Sequence, residues 1–244
     1  MSFWEYLLLF LSVILGGGLA FLFKTYNQKG LGLVLSFSGS YLLGITVLHL
    51  MPGVFSHPEP SIGLWVLVGF FIQLLLEQLS KGVEHGHIHA HQHASASFAI
   101  QVMLGLCLHA FLEGLPLSNY PDFHAHHHAE SHNHNHLLYG IILHKAPAAF
   151  ALVILLLLSS FKKKVVIAAL IIFASMSPLG AWLMAQLHFS EQLLTSLIAL
   201  VIGSFLHIST TILFEADDTH QHKVSWRKML VILLGIGIAL LTLV

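Results

Sequence analysis

Apolar stretches of about 20 residues recur along the whole chain and constrain its fold more than any other feature. A helix needs roughly 20 apolar residues to cross the hydrocarbon core of a bilayer, and it satisfies its backbone N–H and C=O groups internally. The chain is 56% hydrophobic and 9% charged, whereas a soluble domain carries roughly 25% charged residues. The sequence therefore predicts an all-α polytopic membrane protein.

The apolar stretches predict eight transmembrane helices that together form a single membrane domain over residues 1–244. The first stretch lacks the basic leading region of a signal peptide and is long, so we predict a helix there. The last stretch is the shortest. The predicted spans are 3–23, 31–51, 61–79, 97–118, 137–159, 165–187, 192–214 and 229–244.

Nine of the ten Lys and Arg residues lie in four loops on one side of this arrangement, and the tenth, Lys145, lies inside a span. Cytoplasmic loops carry the excess of Lys and Arg, so these loops are predicted to be cytoplasmic and both termini extracytoplasmic. The formal net charge of -1 gives no indication of a nucleic-acid partner. The nine residues are Lys24, Lys29, Lys81, Lys162, Lys163, Lys164, Lys223, Arg227 and Lys228.

Histidine is unusually frequent, with 20 residues, and two loops are rich in it. Such tracts are typical of metal capture without fixed geometry, and the alternative is a solvated linker. The cytoplasmic loop 80–96 contains His85, His87, His89, His91 and His93, and the outer loop 119–136 contains His124, His126, His127, His128, His132, His134 and His136.

Two apolar stretches contain ionisable residues at membrane depth. His109 and Glu113 are four residues apart, so on a helix they share one face, and His144 and Lys145 lie in the next stretch. Charged groups inside a membrane are costly, face the bundle interior and usually mark a functional site. A proline follows each pair closely and frees backbone carbonyls nearby. The pattern favours a metal site, and the alternative is a structural hydrogen bond between helices.

The residue types at this position suit one divalent cation. His109, Glu113 and His144 supply two imidazoles and a carboxylate, which are ligand types suited to zinc and its neighbours. The same donors also suit Fe²⁺, Mn²⁺, Co²⁺ or Cd²⁺. Lys145 either pairs with Glu113 or replaces a second metal with a fixed positive charge. Both interpretations predict at most one bound divalent ion, and Ser177 adds a hydroxyl that contacts the ion or the lysine.

Three further polar residues lie in other predicted spans. His49 lies near the outer end of the second span and His207 within the seventh. Each is either a packing residue or a residue of the ion pathway. Glu77, near the inner end of the third span, is predicted to extend toward the cytoplasmic interface as other long charged side chains do.

Several motifs resemble the ZIP (Zrt-, Irt-like protein) family of divalent metal transporters. They are the His-x-x-x-Glu-Gly at His109, the His-Lys-x-Pro at His144 and the Ser-Pro-Leu-Gly at Ser177. The His-Leu-Met-Pro at His49 and the Gly-Ser-Phe-Leu-His ending at His207 are weaker matches. The predicted eight spans, the outer termini and the His-rich loop between the third and fourth spans also fit this family.

This resemblance implies a 3+2+3 helix arrangement with the transport site between the fourth and fifth helices. His109, Glu113 and His144 would be the ligands, and helices one, four, five and six would move against the other four in an elevator-like alternating access. The chain departs from the family pattern at Ala110, Ala148 and Ser177, where many members carry further metal ligands. These departures predict a one-metal site rather than a two-metal site.

The sequence thus predicts a transporter that moves a divalent ion into the cytoplasm, and zinc is the first candidate for this ion. The predicted location is the plasma membrane, which in a bacterium is the inner membrane. No catalytic cofactor and no enzymatic activity are expected. The alternatives are a metal sensor that binds without transport and an intramembrane zinc hydrolase. The expected partners are the ion and the lipid bilayer, and the sequence leaves open whether the protein is a monomer or a homodimer.

Overall fold

The computed structural model describes residues 1–22, 27–56, 60–86, 95–118, 120, 136–187, 190–215 and 225–242. Within these ranges all regular structure is helical, which agrees with the predicted all-α class. The eight main helices are α1 (Phe3–Ala20), α2 (Gln28–Phe55), α3 (Ile62–Ser80), α4 (Ala96–Ser118), α5 (His136–Leu158), α6 (Lys163–Gln186), α7 (Glu191–Glu215) and α8 (Trp226–Leu241).

Seven of these helices, α1 to α7, are long and apolar enough to cross a bilayer. Large apolar side chains such as Leu15, Leu67 and Leu233 are exposed on the outside of the bundle, as lipid contact requires. Helix α8 has 16 residues, somewhat fewer than the roughly 20 that a span needs. An eighth span and the outer position of both termini therefore remain predictions.

Helix α2 is longer at both ends than its predicted span. It begins at Gln28 because the side chain of Asn27 accepts hydrogen bonds from the backbone N–H groups of Lys29 and Gly30, which caps the helix. Lys29 had been assigned to the loop before the second span. Near the outer end the helix contains a π-helical turn at Thr46–Leu50. Pro52 follows this turn and has no N–H to donate, which disturbs the regular hydrogen bonding there.

The most extensive contacts between helices divide the bundle into two groups. Helix α1 packs on α5 and α4 packs on α6, whereas α3 packs on α7 and α2 packs on α8. Additional contacts join α1 to α6 and α2 to α7 within these groups. The groups meet where α3 lies on α4 and α2 lies on α5. The four helices α1, α4, α5 and α6 thus form one unit and α2, α3, α7 and α8 the other.

Helices α4 and α6 cross very closely at two glycines. A Cβ atom on Gly114 would lie 2.8 Å from the Cα of Ser177 and closer still to its carbonyl oxygen. A Cβ on Gly180 would likewise meet the carbonyl oxygen of Phe111. Small residues let membrane helices approach in this way. The crossing brings the backbone of Ser177 directly against the helix turn that carries Glu113.

We expect the substitution Gly114→Ala to lower the free energy of unfolding by about 1–3 kcal/mol, because its methyl group would press on backbone atoms that have no rotamer to change. Gly237→Ala is the matched control, since a Cβ there meets no atom within 4 Å. That control should be neutral or slightly stabilising, because Ala favours helix more than Gly. Thermal unfolding in detergent measures both, and equal melting temperatures would contradict the close crossing.

Candidate metal site

His109 and Glu113 lie on one face of α4, as their spacing predicted. Both are buried, with 2% and 1% of their surfaces exposed. The Nε2 atom of His109 lies 3.2 Å from the Oε2 atom of Glu113. Among the described residues neither of these two atoms has a hydrogen-bond partner. Buried polar atoms are nearly always paired, and these two atoms lie close enough to form an ion pair when the imidazole is protonated.

Lys145 contacts the other oxygen of the same carboxylate. Its Nζ atom lies 2.9 Å from Oε1 of Glu113 and donates a hydrogen bond to the hydroxyl of Ser177. The ammonium also lies 5.1 Å from the centre of the Phe173 ring, within the range of a cation–π interaction. Lys145 is only 1% exposed. The structure therefore shows the pairing of Lys145 with Glu113 that was one of its two predicted roles.

Ser177 links the lysine to the carboxylate across the α4–α6 crossing. Its hydroxyl oxygen lies 2.5 Å from the backbone oxygen of Ala110 and 3.1 Å from Oε1 of Glu113. The hydroxyl accepts from Lys145 and has one proton to donate to either of these acceptors. Oε1 of Glu113 therefore contacts both the ammonium of Lys145 and the hydroxyl of Ser177, and Oε2 contacts neither.

His144 lies next to this pair but farther from it than a shared ion requires. Its ring centre is 6.1 Å from that of His109, in an edge-to-face arrangement, and the residue is 1% exposed. In the described part of the chain neither ring nitrogen of His144 has a hydrogen-bond partner. No group of three His, Cys, Asp or Glu side chains in that part is close enough to hold a metal ion together. The structure thus brings two predicted ligands, His109 and Glu113, into contact. The third, His144, lies beside them with its ring centre 6.1 Å from that of His109.

His49 contacts residues at the outer end of the bundle. It lies in the π-helical turn of α2, its Nε2 is 3.0 Å from Oγ1 of Thr242, and its ring centre is 4.4 Å from that of His136. His136 had been assigned to the outer loop, but it is the first residue of α5 and is buried. Both histidines lie outside the immediate contacts of Glu113.

His207 and Glu77 form a separate cluster between α3 and α7. Nε2 of His207 contacts Oε2 of Glu77, and Nδ1 of His85 lies 3.2 Å from Oε1 of the same carboxylate. The side chain of Glu77 is 17% exposed. Glu77 had been predicted to extend toward the cytoplasmic interface, and the structure adds that two imidazoles contact its carboxylate. His85 had been predicted in a metal-capturing loop, yet it is buried in a short 3-10 turn, Val83–His85.

The other loop histidines that had been predicted to capture metal lie outside the described residues. They are His87, His89, His91, His93, His124, His126, His127, His128, His132 and His134.

Two buried polar residues near the site had not been predicted. Gln73 on α3 accepts a hydrogen bond at Oε1 from Nδ1 of His109, over 2.9 Å, and its amide nitrogen lies 2.9 Å from Oε2 of Glu84. The sequence did contain a signal for Gln73, because a polar amide within an apolar span is unusual and indicates a buried hydrogen bond. Nothing distinguishes Glu84 from a solvated loop residue until the 3-10 turn is seen to be buried.

Comparison with known proteins identifies the family of this chain. The model of the family described as "ZIP Zinc transporter" matches residues 80–243, which is more than half of the chain. The chain is 28% identical to zinc transporter ZIP9-B of Xenopus laevis and 29% identical to zinc transporter ZIP9 of Xenopus tropicalis, each over 178 residues. These alignments cover 69% of this chain and 57% of each relative, so the chain spans little more than half of their length. The matched region includes the helices that carry the candidate site, and the chain belongs to the ZIP zinc transporter family, a family of transporters and not of enzymes.

Proposed function

We propose that this protein carries a divalent cation, zinc first, across the membrane through a single site formed by His109, Glu113 and His144. The observation that carries the proposal is the pair of buried atoms, Nε2 of His109 and Oε2 of Glu113, that face each other over 3.2 Å without a hydrogen-bond partner among the described residues. The names of the related proteins, which are zinc transporters, point to the same substrate.

The separation of these two atoms suits zinc. With metal–ligand distances of about 2.0–2.1 Å, two atoms 3.2 Å apart subtend an angle of about 100° at the ion, near the tetrahedral value. His144 would complete three protein ligands after a small side-chain movement, with water in the fourth position. Iron, manganese, cobalt and cadmium accept the same donors, so their relative availability contributes to selection.

Lys145 supports binding of one ion rather than two. Its ammonium lies against Glu113 where the family pattern would allow a second cation, and it has no acidic partner other than Glu113 among the ion pairs of the described residues. The ammonium of Lys145, 2.9 Å from the Glu113 carboxylate, is a fixed positive charge in a buried site, and it strongly repels a second divalent ion that approaches this carboxylate. The same charge weakens the hold on the first ion, which favours the release that transport needs.

The direction of transport that we propose is inward. Nine Lys and Arg residues lie in loops that we predict to be cytoplasmic, and the His-rich loop 80–96 is one of these loops. This supports release of the ion on the cytoplasmic side. A membrane potential that is negative inside favours this direction by roughly 2.3 kcal/mol per charge per 100 mV, or about twice that for a divalent ion. We propose that the protein lies in the plasma membrane, which in a bacterium is the inner membrane.

The two groups of helices suggest how the ion moves. All of the proposed ligands, and Lys145 and Ser177 with them, lie on α4, α5 and α6, which belong to one group. That group meets the other along the α3–α4 and α2–α5 contacts. An elevator-like displacement of α1, α4, α5 and α6 against the other four helices would carry the intact site from one side of the membrane to the other.

The substitution His144→Ala tests whether the site is the transport site. We expect the apparent affinity for zinc in transport to fall by about tenfold or more, since loss of even an indirect ligand contact costs 10–100-fold. The measurement is the initial rate of Zn²⁺ uptake by liposomes that contain the purified protein and a zinc-sensitive dye. Leu143→Ala is the control, because Leu143 precedes His144 on α5 and is 39% exposed.

Unchanged zinc uptake in the His144→Ala protein would contradict the assignment of His144 as a ligand of the transport site. A wild-type protein that binds zinc without moving it would instead favour the sensor hypothesis.

A further inference from the structure

Gln73 occupies a buried position between the two helix groups. It lies on α3 and is 1% exposed. On one side α4 comes close, because a Cβ on Gly105 would lie 2.6 Å from the carbonyl oxygen of Leu76. On the other side α7 comes closer still at Gly203, where a Cβ would lie 1.9 Å from the carbonyl oxygen of Val66 on α3. These crossings leave the Gln73 amide little room and place it beside His109 and Ser204.

The orientation of the Gln73 amide follows from its partners. Its nitrogen lies 2.9 Å from Oε2 of Glu84, and an ionised carboxylate accepts hydrogen bonds but donates none. The nitrogen must therefore point to Glu84 and the oxygen to the other side. There the oxygen accepts from the hydroxyl of Ser204 over 3.0 Å and faces Nδ1 of His109 over 2.9 Å.

This orientation decides which nitrogen of His109 carries the proton. An amide oxygen can only accept, so Nδ1 of His109 must be the donor. In a neutral imidazole the other nitrogen, Nε2, then has a free lone pair. That lone pair is directed to the position beside Oε2 of Glu113, 3.2 Å away. The imidazole is thereby prepared to bind a cation.

We propose that Gln73, oriented by Glu84, is a positioning residue that holds His109 in its metal-binding tautomer. This inference rests on the proposed role of His109 as a ligand. Metal-binding histidines usually donate their other N–H to a carboxylate or carbonyl, which fixes the ring and raises its basicity. Here the amide of Gln73 connects the charge of Glu84 to the imidazole, and it does so across the contact between α3 and α4.

The test compares zinc affinity of full-length wild-type protein with that of Gln73→Leu in detergent, by titration against a chelator. Zinc bound by the His-rich loops is measured in a Glu113→Gln protein and subtracted. We expect the dissociation constant of the Gln73→Leu protein to rise about 10–100-fold. Ser209→Ala is the control, since this buried hydroxyl donates to backbone oxygens of its own helix α7, those of Phe205 and Leu206.

An exchange of the two side chains separates positioning from a structural role. Gln73→Glu alone puts two buried carboxylates together and should weaken zinc binding or folding. The double variant Gln73→Glu/Glu84→Gln restores a donor at position 84 and keeps an acceptor for Nδ1 of His109. We expect its zinc affinity to return to within about threefold of the wild type.

The inference is overturned if folded Gln73→Leu binds zinc as tightly as the wild type, or if the double exchange binds no better than Gln73→Glu. Should Gln73→Leu fail to fold, the exchange decides the question alone. Because the readout is binding, it is independent of transport. A wild-type protein that binds zinc and does not move it would refute the proposed function and leave this inference standing.

Discussion

Replacement of Glu113 by Gln is expected to reduce zinc uptake on the order of a thousandfold. The carboxylate supplies the negative charge of the site, and two unit charges about 4 Å apart interact by about 4 kcal/mol at an effective dielectric of 20, where 1.4 kcal/mol is tenfold. Its loss also leaves the ammonium of Lys145 buried without its 2.9 Å partner. Initial uptake of radioactive zinc by liposomes measures the effect.

The variant Glu113→Gln/Lys145→Met is the control for folding, because breaking a buried pair from one side costs about 3–5 kcal/mol while removing both charges avoids that cost. We expect the double variant to recover the thermal stability that the single variant loses, with uptake still as low as in the single variant. Uptake at the wild-type rate in Glu113→Gln would show that the ion does not bind at this carboxylate.

Replacement of Lys145 by Met alone is expected to act in the opposite direction on binding. Without the ammonium, the carboxylate of Glu113 is available to the ion with its full charge, so zinc affinity should rise about tenfold or more. The maximal transport rate should fall because the ion leaves more slowly. Equilibrium binding and the concentration dependence of uptake together measure this change.

Stability gives an independent readout for the same variant. In the absence of metal, the unpaired buried carboxylate should lower the free energy of unfolding by about 3–5 kcal/mol. Zinc should restore more stability to Lys145→Met than to the wild type, since it replaces the missing positive charge. Lys29→Met, at an exposed position near the start of α2, is the control. An unchanged zinc affinity in Lys145→Met would contradict the proposed function of this lysine.

Periodicity and composition were sufficient to predict the all-α class and the placement of His109 and Glu113 on one helix. The spacing of His109 and Glu113 places them on one face of any helix, and their burial follows from the apolar residues around them. Lys145 could be recognised as a residue of the site, but its contacts with Glu113 and Ser177 were seen only in the structure, where α4 and α6 cross at Gly114. Such a crossing depends on packing between segments distant in sequence.

Other features depend on contacts that no local pattern encodes. The partners of Glu77 come from α7 and from the turn after α3, so an argument from one helix could not predict them. The link from Glu84 through Gln73 to His109 joins three separate segments. The added length of α2 depends on one capping side chain, Asn27, and on the π-helical turn before Pro52.

The central claim is that this protein moves a divalent ion through the membrane. Its most direct test is Zn²⁺ uptake by liposomes that hold a zinc-sensitive dye, with and without the wild-type protein, under an imposed potential. We predict saturable uptake that requires the protein and accelerates when the interior is negative. Uptake no faster than in protein-free liposomes, by protein that is folded and binds zinc, would contradict the claim.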